Sequence, residues 1–288
     1  MPDTLYLIDG HALAYRAFFA LMASGSRFQT RSGEPTAGAY GFTNILFRIL
    51  EQEKPKYLAV SFDTGKTFRN DVFPEYKATR AKMPEDLIPQ IERIRQIVDA
   101  FNIPRLEKEG YEADDVIGTI AKQAVEKGLG VKIVTGDRDL LQLVDERIIV
   151  NLSGSKLADA KDYTLKEVKT LLGVRPDQVV DYKALVGDKS DNIPGVHGIG
   201  EKTAVMLLEK NPSLDEIYAH LEDYPERVRN LLTTSKQDAL MSYNLAKIHT
   251  DLDVELDLEQ ARLGNFNYLL ITDLFKELEF RTLLSRLD

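Results

Sequence analysis

Three short apolar runs in this chain each lead into an aspartate, and this feature restricts the fold more than any other. The runs are LYLIDG (5–10), KYLAVSFD (56–63) and VKIVTGDRD (131–139), which reach Asp9, Asp63 and Asp137. Their length and their β-branched and aromatic residues are typical of buried strands. Stretches with helical periodicity, such as residues 38–52 and 89–100, lie between them. The pattern predicts an α/β fold with a mostly parallel central sheet flanked by helices.

The edge at which parallel strands end is where such sheets bind ligands. Asp9, Asp63 and Asp137 are therefore expected to gather at one edge, although they are far apart in sequence. Carboxylates that converge at this edge would repel one another unless cations lie between them.

Further acids are predicted to reach this edge. The segment GYEADDVIGTIAKQAVEKG (110–128) has helical spacing, with Glu112, Asp114 and Asp115 in its first turn. Residues three apart share a helix face, so Glu112 and Asp115 can point together. Acids at a helix start also complement the helix dipole without any further role. The position of this segment directly before VKIVTGDRD favours a functional role.

Three more acids complete the candidate set. Asp139 follows Asp137 by two residues, and LVGDKSDNIPG contains Asp188 and Asp191, although this composition is also that of an ordinary loop. The nine candidate carboxylates are Asp9, Asp63, Glu112, Asp114, Asp115, Asp137, Asp139, Asp188 and Asp191.

The donor types in this set indicate a hard metal ion. The chain has no cysteine, and its 4 histidines (His11, His197, His220 and His249) are scattered singly, as surface or core-edge residues are. Converging carboxylates without thiolates suit Mg²⁺ or Mn²⁺. Two such ions can activate water and stabilise the leaving oxygen of a phosphoryl displacement.

A basic, aromatic segment follows the second apolar run. A formal net charge of -9 at first argues against a nucleic-acid partner, but it equals the number of candidate ligands. In TGKTFRNDVFPEYKATRAK (64–82), cations are interleaved with rings, as binding of a single strand requires, although a solvated loop looks similar. The candidate contacts there are Lys66, Arg69, Tyr76, Lys77 and Arg80. Arg16 is a further candidate phosphate contact, with a structural ion pair as the alternative.

The second half of the chain reads mostly as helices from about Tyr163 onward. Within it, IPGVHGIGEKTAVMLL has the form of a helix-hairpin-helix, in which Gly198 and Gly200 permit a tight turn and Lys202 and Thr203 lie at the start of the next helix. Free main-chain N–H groups at such a helix start can bind phosphate. We therefore predict a core at residues 1–162, with an arch at about 66–88, and a helical region at 163–288.

Five blocks of this sequence resemble the 5′ nucleases, a family that includes flap endonucleases and the 5′-to-3′ exonuclease domain of bacterial DNA polymerase I. The blocks are LIDGHALAYRAFFAL, FDTGKTFRNDVFPEYKATRAKMPEDL, GYEADDVIGTIA, VTGDRDLLQLV and LVGDKSDNIPGVHGIGEKTA, in the family's order. His197 stands where the family pattern has proline. The resemblance implies a PIN-like sheet and hydrolysis of DNA phosphodiester bonds at 5′ flaps, nicks or single-stranded ends, with RNA-primed ends as a further substrate, during replication and repair.

The resemblance also implies roles for particular residues. The nine acids match the metal-binding carboxylates, with Asp139, Asp188 and Asp191 in a second group. Lys77 and Arg80 match basic residues of a helical arch that orient the scissile phosphate. It further implies two Mg²⁺ ions, with Mn²⁺ as a substitute, and a K⁺ ion at the hairpin.

Other functions are compatible with parts of the pattern. A PIN-like ribonuclease shares the acidic edge of the sheet but not the arch and the hairpin. A DNA-junction binding protein without catalytic activity would gain affinity for phosphate by losing the acids. A small-molecule phosphohydrolase leaves the hairpin unexplained. We expect a cytoplasmic monomer without a signal peptide or membrane span, either a free-standing nuclease or part of a polymerase.

Overall fold

The computed structural model describes residues 3–23, 25, 28–154 and 159–287. Its strands are β1 Thr4–Asp9, β2 Tyr57–Ser61, β3 Arg105–Leu106, β4 Gly130–Thr135, β5 Ile148–Leu152 and β6 Lys161–Tyr163. They form one sheet in the order β3-β2-β1-β4-β5-β6, parallel except for the β5–β6 pair. The predicted α/β class is confirmed, whereas β3, β5 and β6 were not predicted.

Helices cover both faces of this sheet. In the first part of the chain they are α1 Gly10–Met22, α2 Ala37–Arg48, α3 Phe68–Val72, α4 Ile88–Ala100 and α5 Ala113–Glu126. After the last strand they are α6 Leu165–Leu172, α7 Val179–Val186, α8 Glu201–Lys210, α9 Leu214–Ala219, α10 Glu226–Thr234, α11 Lys236–Ala246, α12 Tyr268–Glu277 and α13 Arg281–Leu284. The predicted helices at 38–52, 89–100 and 110–128 correspond to α2, α4 and α5.

The apolar sequence of β1 is explained by burial on both of its faces. Leu5 and Leu7 point into a core formed with α5 and the helices that follow β6, whereas Tyr6 and Ile8 point into a second core with α1, α2 and α4. Alternate residues of a strand face opposite sides of the sheet, so a strand covered on both sides is apolar at successive positions along its middle.

The two cores do not coincide with the predicted division at residue 162. Helices α6 to α11 share the first core with the sheet, and the last two helices return to the second core through residues such as Ile271 and Phe275. The predicted boundary falls inside β6, the last strand of the described sheet, and each core draws on both parts of the chain.

The predicted arch at 66–88 is mostly non-helical. Its only helical residues are those of α3 and the first residue of α4, and turns occupy most of the segment between them. Lys77 has a φ of 58°, in the left-handed region, and its main-chain N–H donates to the carbonyl of Asp191 at 2.9 Å. The segment therefore folds back over the edge where the parallel strands end.

Gly10 allows close packing at this edge of the sheet. A Cβ atom at position 10 would lie 2.4 Å from the ring of Phe62, which is 1% exposed. The first turn of α1 thus packs directly against the end of β2, with no room for a side chain.

We expect Gly10→Ala to lower the free energy of unfolding by about 1–3 kcal/mol, because the buried Phe62 ring cannot move away from the added methyl group. Urea denaturation measures this loss. Gly130→Ala is the control, since its nearest contact would be 3.4 Å, and Gly10→Ala combined with Phe62→Leu should recover part of the loss. An unchanged Gly10→Ala variant would contradict the packing described here.

Candidate active site

An open cleft of about 1350 Å³ lies over the carboxyl ends of the parallel strands. All of the candidate acids except Asp115 and Asp191 line it, as do Arg16, Tyr76, Lys77 and Arg80. The structure therefore brings Asp9, Asp63 and Asp137 to one edge, as the parallel-sheet argument predicts, and the other acids of the cleft join them there. The predicted hairpin residues Gly198, Gly200, Lys202 and Thr203 do not line the cleft, although Glu201 does.

Asp9 is fixed at the end of β1 by two hydrogen bonds. Its Oδ1 accepts from the main-chain N–H of Ala12 at 2.9 Å, and its Oδ2 accepts from the Thr135 hydroxyl at 2.8 Å. The same hydroxyl accepts the N–H of Asp137 at 2.9 Å. Thr135, which the sequence analysis missed, thus joins the acids that follow β1 and β4.

The remaining acids near β2 and α5 are held mainly by main-chain and basic groups. Asp63 Oδ1 accepts from the N–H of Ala113 at 2.8 Å. Glu112 caps α5, and its Oε1 accepts from Lys77 Nζ at 2.7 Å. The side chain of Asp114 makes no hydrogen bond or ion pair with the described residues, although it lines the cleft.

Asp139, Asp188 and Asp191 form a second group that protein cations neutralise. Lys183 Nζ contacts Asp139 and lies 2.8 Å from Asp188 Oδ2. Arg80 donates to Asp191 Oδ1, from Nε at 3.0 Å, and the hydroxyl of Tyr76 lies 3.2 Å from Asp191 Oδ2. Lys183 was not predicted; its position in the last turn of α7, just before DKSDN, was the available signal.

Burial and mutual repulsion alter the acidity of these groups. Burial first, and then the charges of Asp63 and Asp137, raise the pKa of Asp9 to about 7 against its two hydrogen bonds. Burial and the charge of Asp137 raise the pKa of Asp139 to about 7 as well, and burial raises that of Asp114 well above its usual range. Burial would also raise the pKa of Asp188, but Lys183 and Ser190 outweigh it and lower the value to about 2.

Asp115 differs from the other acids. It is 0% exposed, and Arg69 donates to its two oxygens at 2.7 and 2.9 Å. The N–H groups of Glu112 and His249 donate to the same carboxylate at 3.1 and 2.9 Å. Its oxygens are therefore occupied by protein donors, in contrast to the ligand role expected from the sequence.

Three predicted DNA contacts already have protein partners in this structure. Arg69 is 2% exposed, and besides Asp115 it donates to the carbonyls of Leu245 and Lys247. Tyr76 is 5% exposed, between Glu112 and Asp191. Arg16 donates to the carbonyl of Ser153 at 2.7 Å, which is neither of the two partners expected for it. Lys66 lies outside the cleft, paired with Asp71.

His11, expected at the surface or the core edge, belongs to the site. It lines the cleft, and its Nδ1 accepts the main-chain N–H of Asp63 at 3.1 Å. Burial lowers the pKa of His11 despite the nearby Asp63 carboxylate. A histidine two residues after the aspartate that ends β1 was the signal available in the sequence.

The donor set fits a hard divalent cation. The acids that line the cleft offer only oxygen, and Asp114 presents a carboxylate that no described residue neutralises directly. In the described part of the chain, no three acidic or imidazole groups already surround a common position suited to a metal ion. Lys77 and Lys183 form ion pairs with carboxylates that would otherwise be free to converge on a metal ion.

Two family models match the chain in succession. Residues 4–173 match "5'-3' exonuclease, N-terminal resolvase-like domain", and residues 174–268 match "5'-3' exonuclease, C-terminal SAM fold". Within the described residues no helix is long and apolar enough to cross a membrane.

Curated relatives cover nearly the whole chain. DNA polymerase I of Chloroflexus aurantiacus is 50% identical over 280 residues, which is 96% of this chain but 29% of the relative. DNA polymerase I of Bacillus subtilis is 43% identical, and 32% of it is covered. The chain thus spans about a third of these relatives. A 5'-3' exonuclease of Aquifex aeolicus is 40% identical over 99% of this chain and 95% of the relative.

Solved structures share the fold at low sequence identity. The D15 flap endonuclease of bacteriophage T5, in a pseudo-enzyme-product complex with DNA and metal ions, has a TM-score of 0.71 and 21% identity, covering 96% of this chain and 100% of that one. Human GEN1 in complex with Holliday junction DNA has a TM-score of 0.58 and 15% identity, covering 96% and 68%.

Arg69→Met should lower the free energy of unfolding by about 3–5 kcal/mol, because Asp115 would stay buried without its partner. The double variant Arg69→Met, Asp115→Leu should recover much of this loss, since both charges are removed together. Chemical denaturation measures the free energy of unfolding of both variants. In addition, Mg²⁺ should still raise the melting temperature of the double variant. If a folded double variant shows no such rise, Asp115 is a metal ligand after all.

Without metal, stability should fall as the pH rises from about 4 to about 7. The folded-state pKa values of Asp9 and Asp139 lie above the ordinary value of 3.8, so their contribution to stability is present at low pH and lost as they ionise at about 7. Urea denaturation in chelator at several pH values checks the sign. Asp9→Asn, which removes one of these groups, should flatten the dependence, and an unchanged slope would contradict the assignment.

Proposed function

The chain belongs to the 5'-3' exonuclease family, and from this premise we propose that it hydrolyses DNA phosphodiester bonds as a metal-dependent 5'-to-3' exonuclease and 5'-flap endonuclease. The observation that carries the proposal is the acidic cleft at the carboxyl edge of the sheet, with basic side chains on its acids. DNA complexes of the flap endonuclease and of GEN1, which share this fold, support a DNA substrate.

The acids around the cleft would hold the metal ions in two groups. Asp9, Asp63, Glu112, Asp114 and Asp137 would form the first, and Asp139, Asp188 and Asp191 the second. Two divalent cations, when bound, would lower the pKa of a water molecule and stabilise charge on the leaving oxygen. Asp115 we assign to the support of α5, because the buried Arg69 donates to both of its oxygens, whereas Arg80, the partner of Asp191, is half exposed.

The basic side chains of the cleft would bind and orient the scissile phosphate. Lys77, Arg80 and Lys183 now neutralise carboxylates, so ions that take those carboxylates would leave the ammonium and guanidinium groups available to a phosphate. In the reaction the water oxygen bonds to phosphorus and the bond from phosphorus to the 3' oxygen breaks. The products are a 3' hydroxyl on the released strand and a 5' phosphate on the remaining one.

The hairpin between α7 and α8 would hold the duplex next to the junction. Lys202 and Thr203 lie in the first turn of α8, whose free main-chain N–H groups favour a phosphate. Gly198, with a φ of 87°, adopts a left-handed conformation that suits glycine. A K⁺ ion on the hairpin carbonyls, Mg²⁺ as the cellular ion and RNA-primed ends as substrates stay predictions.

The setting of the protein follows from this substrate. Polymerase I relatives and the Aquifex exonuclease support both a fused and a free-standing nuclease. We propose the cytoplasm as its location, because that is where bacterial DNA replication takes place. We propose a monomer as well, because one chain supplies every acid of the cleft.

The decisive experiment is cleavage of a 5'-labelled flap duplex in Mg²⁺ and in chelator. Junction cuts that require the metal are expected. Asp137→Asn should slow them by about 10²-fold or more, since loss of a ligand costs several kcal/mol of transition-state stabilisation.

Asp251→Asn serves as the matched control, because Asp251 is an exposed acid outside the cleft. Fluorescence anisotropy in chelator should show similar DNA binding for both variants. Tight junction binding by the wild type without cutting in any divalent ion would instead indicate a silent binding protein. Selective cutting of RNA would indicate a PIN-like ribonuclease.

A further inference from the structure

The main chain at Asp63 is held by side chains on both sides. Its N–H donates to His11 Nδ1 at 3.1 Å, and its carbonyl oxygen lies 3.4 Å from Arg95 Nη2. Asp63 follows the end of β2 by two residues, so no strand hydrogen bond fixes its N–H. The imidazole supplies the acceptor that a neighbouring strand would otherwise provide.

The packing of the His11 ring leaves it little freedom. The ring meets the ring of Phe62 edge-on, with centroids 5.6 Å apart and planes at 81°. Phe62 in turn packs against Gly10, where a side chain would not fit, and Arg95 lies over its ring at 5.2 Å. The sequence Asp-Gly-His at the start of α1 therefore interlocks with Phe-Asp after β2.

The hydrogen bond defines the state of the imidazole. An Nδ1 atom that accepts an N–H carries no proton, so the ring is neutral with its hydrogen on Nε2. An asparagine at this position would place its Oδ1 atom about where Nδ1 lies and could accept the same N–H group. A leucine has a similar volume but offers no acceptor, so the two substitutions separate shape from hydrogen bonding.

We propose that His11 is a positioning residue that fixes the Asp63 main chain and thereby the spacing between the Asp9 and Asp63 carboxylates. Asp9 and His11 lie in one helix start, so a single rigid turn sets both carboxylates in place. Side chains that orient ligands typically change metal affinity by about 10- to 100-fold when they are removed. This inference rests on the proposed metal-dependent function.

The test compares wild type, His11→Asn and His11→Leu, with His220→Leu as a control for loss of an imidazole outside the cleft. Mn²⁺ binding is measured by titration calorimetry, and melting temperature is measured in chelator. His11→Leu should bind Mn²⁺ about tenfold more weakly, whereas His11→Asn and His220→Leu should stay close to wild type. A purely structural role would lower the melting temperature of His11→Leu and leave its Mn²⁺ affinity unchanged, which would overturn the proposal.

A second measurement tests the hydrogen bond in the wild-type protein without metal. A scalar coupling between the Asp63 amide nitrogen and His11 Nδ1, measured on ¹⁵N-labelled protein, is expected, together with slow exchange of the Asp63 amide proton. Absence of both would overturn the proposal even if His11→Leu fails to fold. Failure of the wild type to bind Mn²⁺ would instead refute the proposed metal site, since the coupling is independent of metal.

Discussion

Carboxylates brought together at the end of a parallel sheet repel one another, and the surrounding groups reduce that repulsion. Burial makes ionisation costly and drives the pKa values of Asp9 and Asp139 up to about 7. Lys183 and Arg80 offset the charge of the second group, and main-chain N–H groups hold Asp9 and Asp63. The fold keeps such a site because its buried acids bind protons more readily and because cations, its own or bound ones, lie among the acids.

The pair of Asp115 and Arg69 shows how the site is tied to the rest of the molecule. Arg69 lies on α3, next to the segment that folds over the cleft, and Asp115 lies in the first turn of α5. Through the carbonyls of Leu245 and Lys247, the guanidinium also reaches the end of α11. One buried cation thus joins three parts of the chain, and the acids at the start of α5 depend on this frame for their direction.

Much of the site could be predicted because strand direction alone places residues along an edge. Asp9, Asp63 and Asp137 follow parallel strands, so their convergence needed no knowledge of side-chain packing. Asp114 and Asp115 are different, since adjacent residues of a helix point in different directions. Which of them faces the cleft depends on how α5 is rotated against the sheet, and that rotation cannot be predicted from the spacing of residues in the sequence.

The sequence by itself determined the α/β class, the edge at which the acids gather and the hard-cation chemistry of their donors. These follow from periodicity and residue type, which are local properties. Only the tertiary structure decided the partners: Arg69 for Asp115, Lys183 for Asp139, Thr135 for Asp9 and His11 for Asp63. Such pairings join residues 44 to 126 positions apart, so they exist only once the chain has packed.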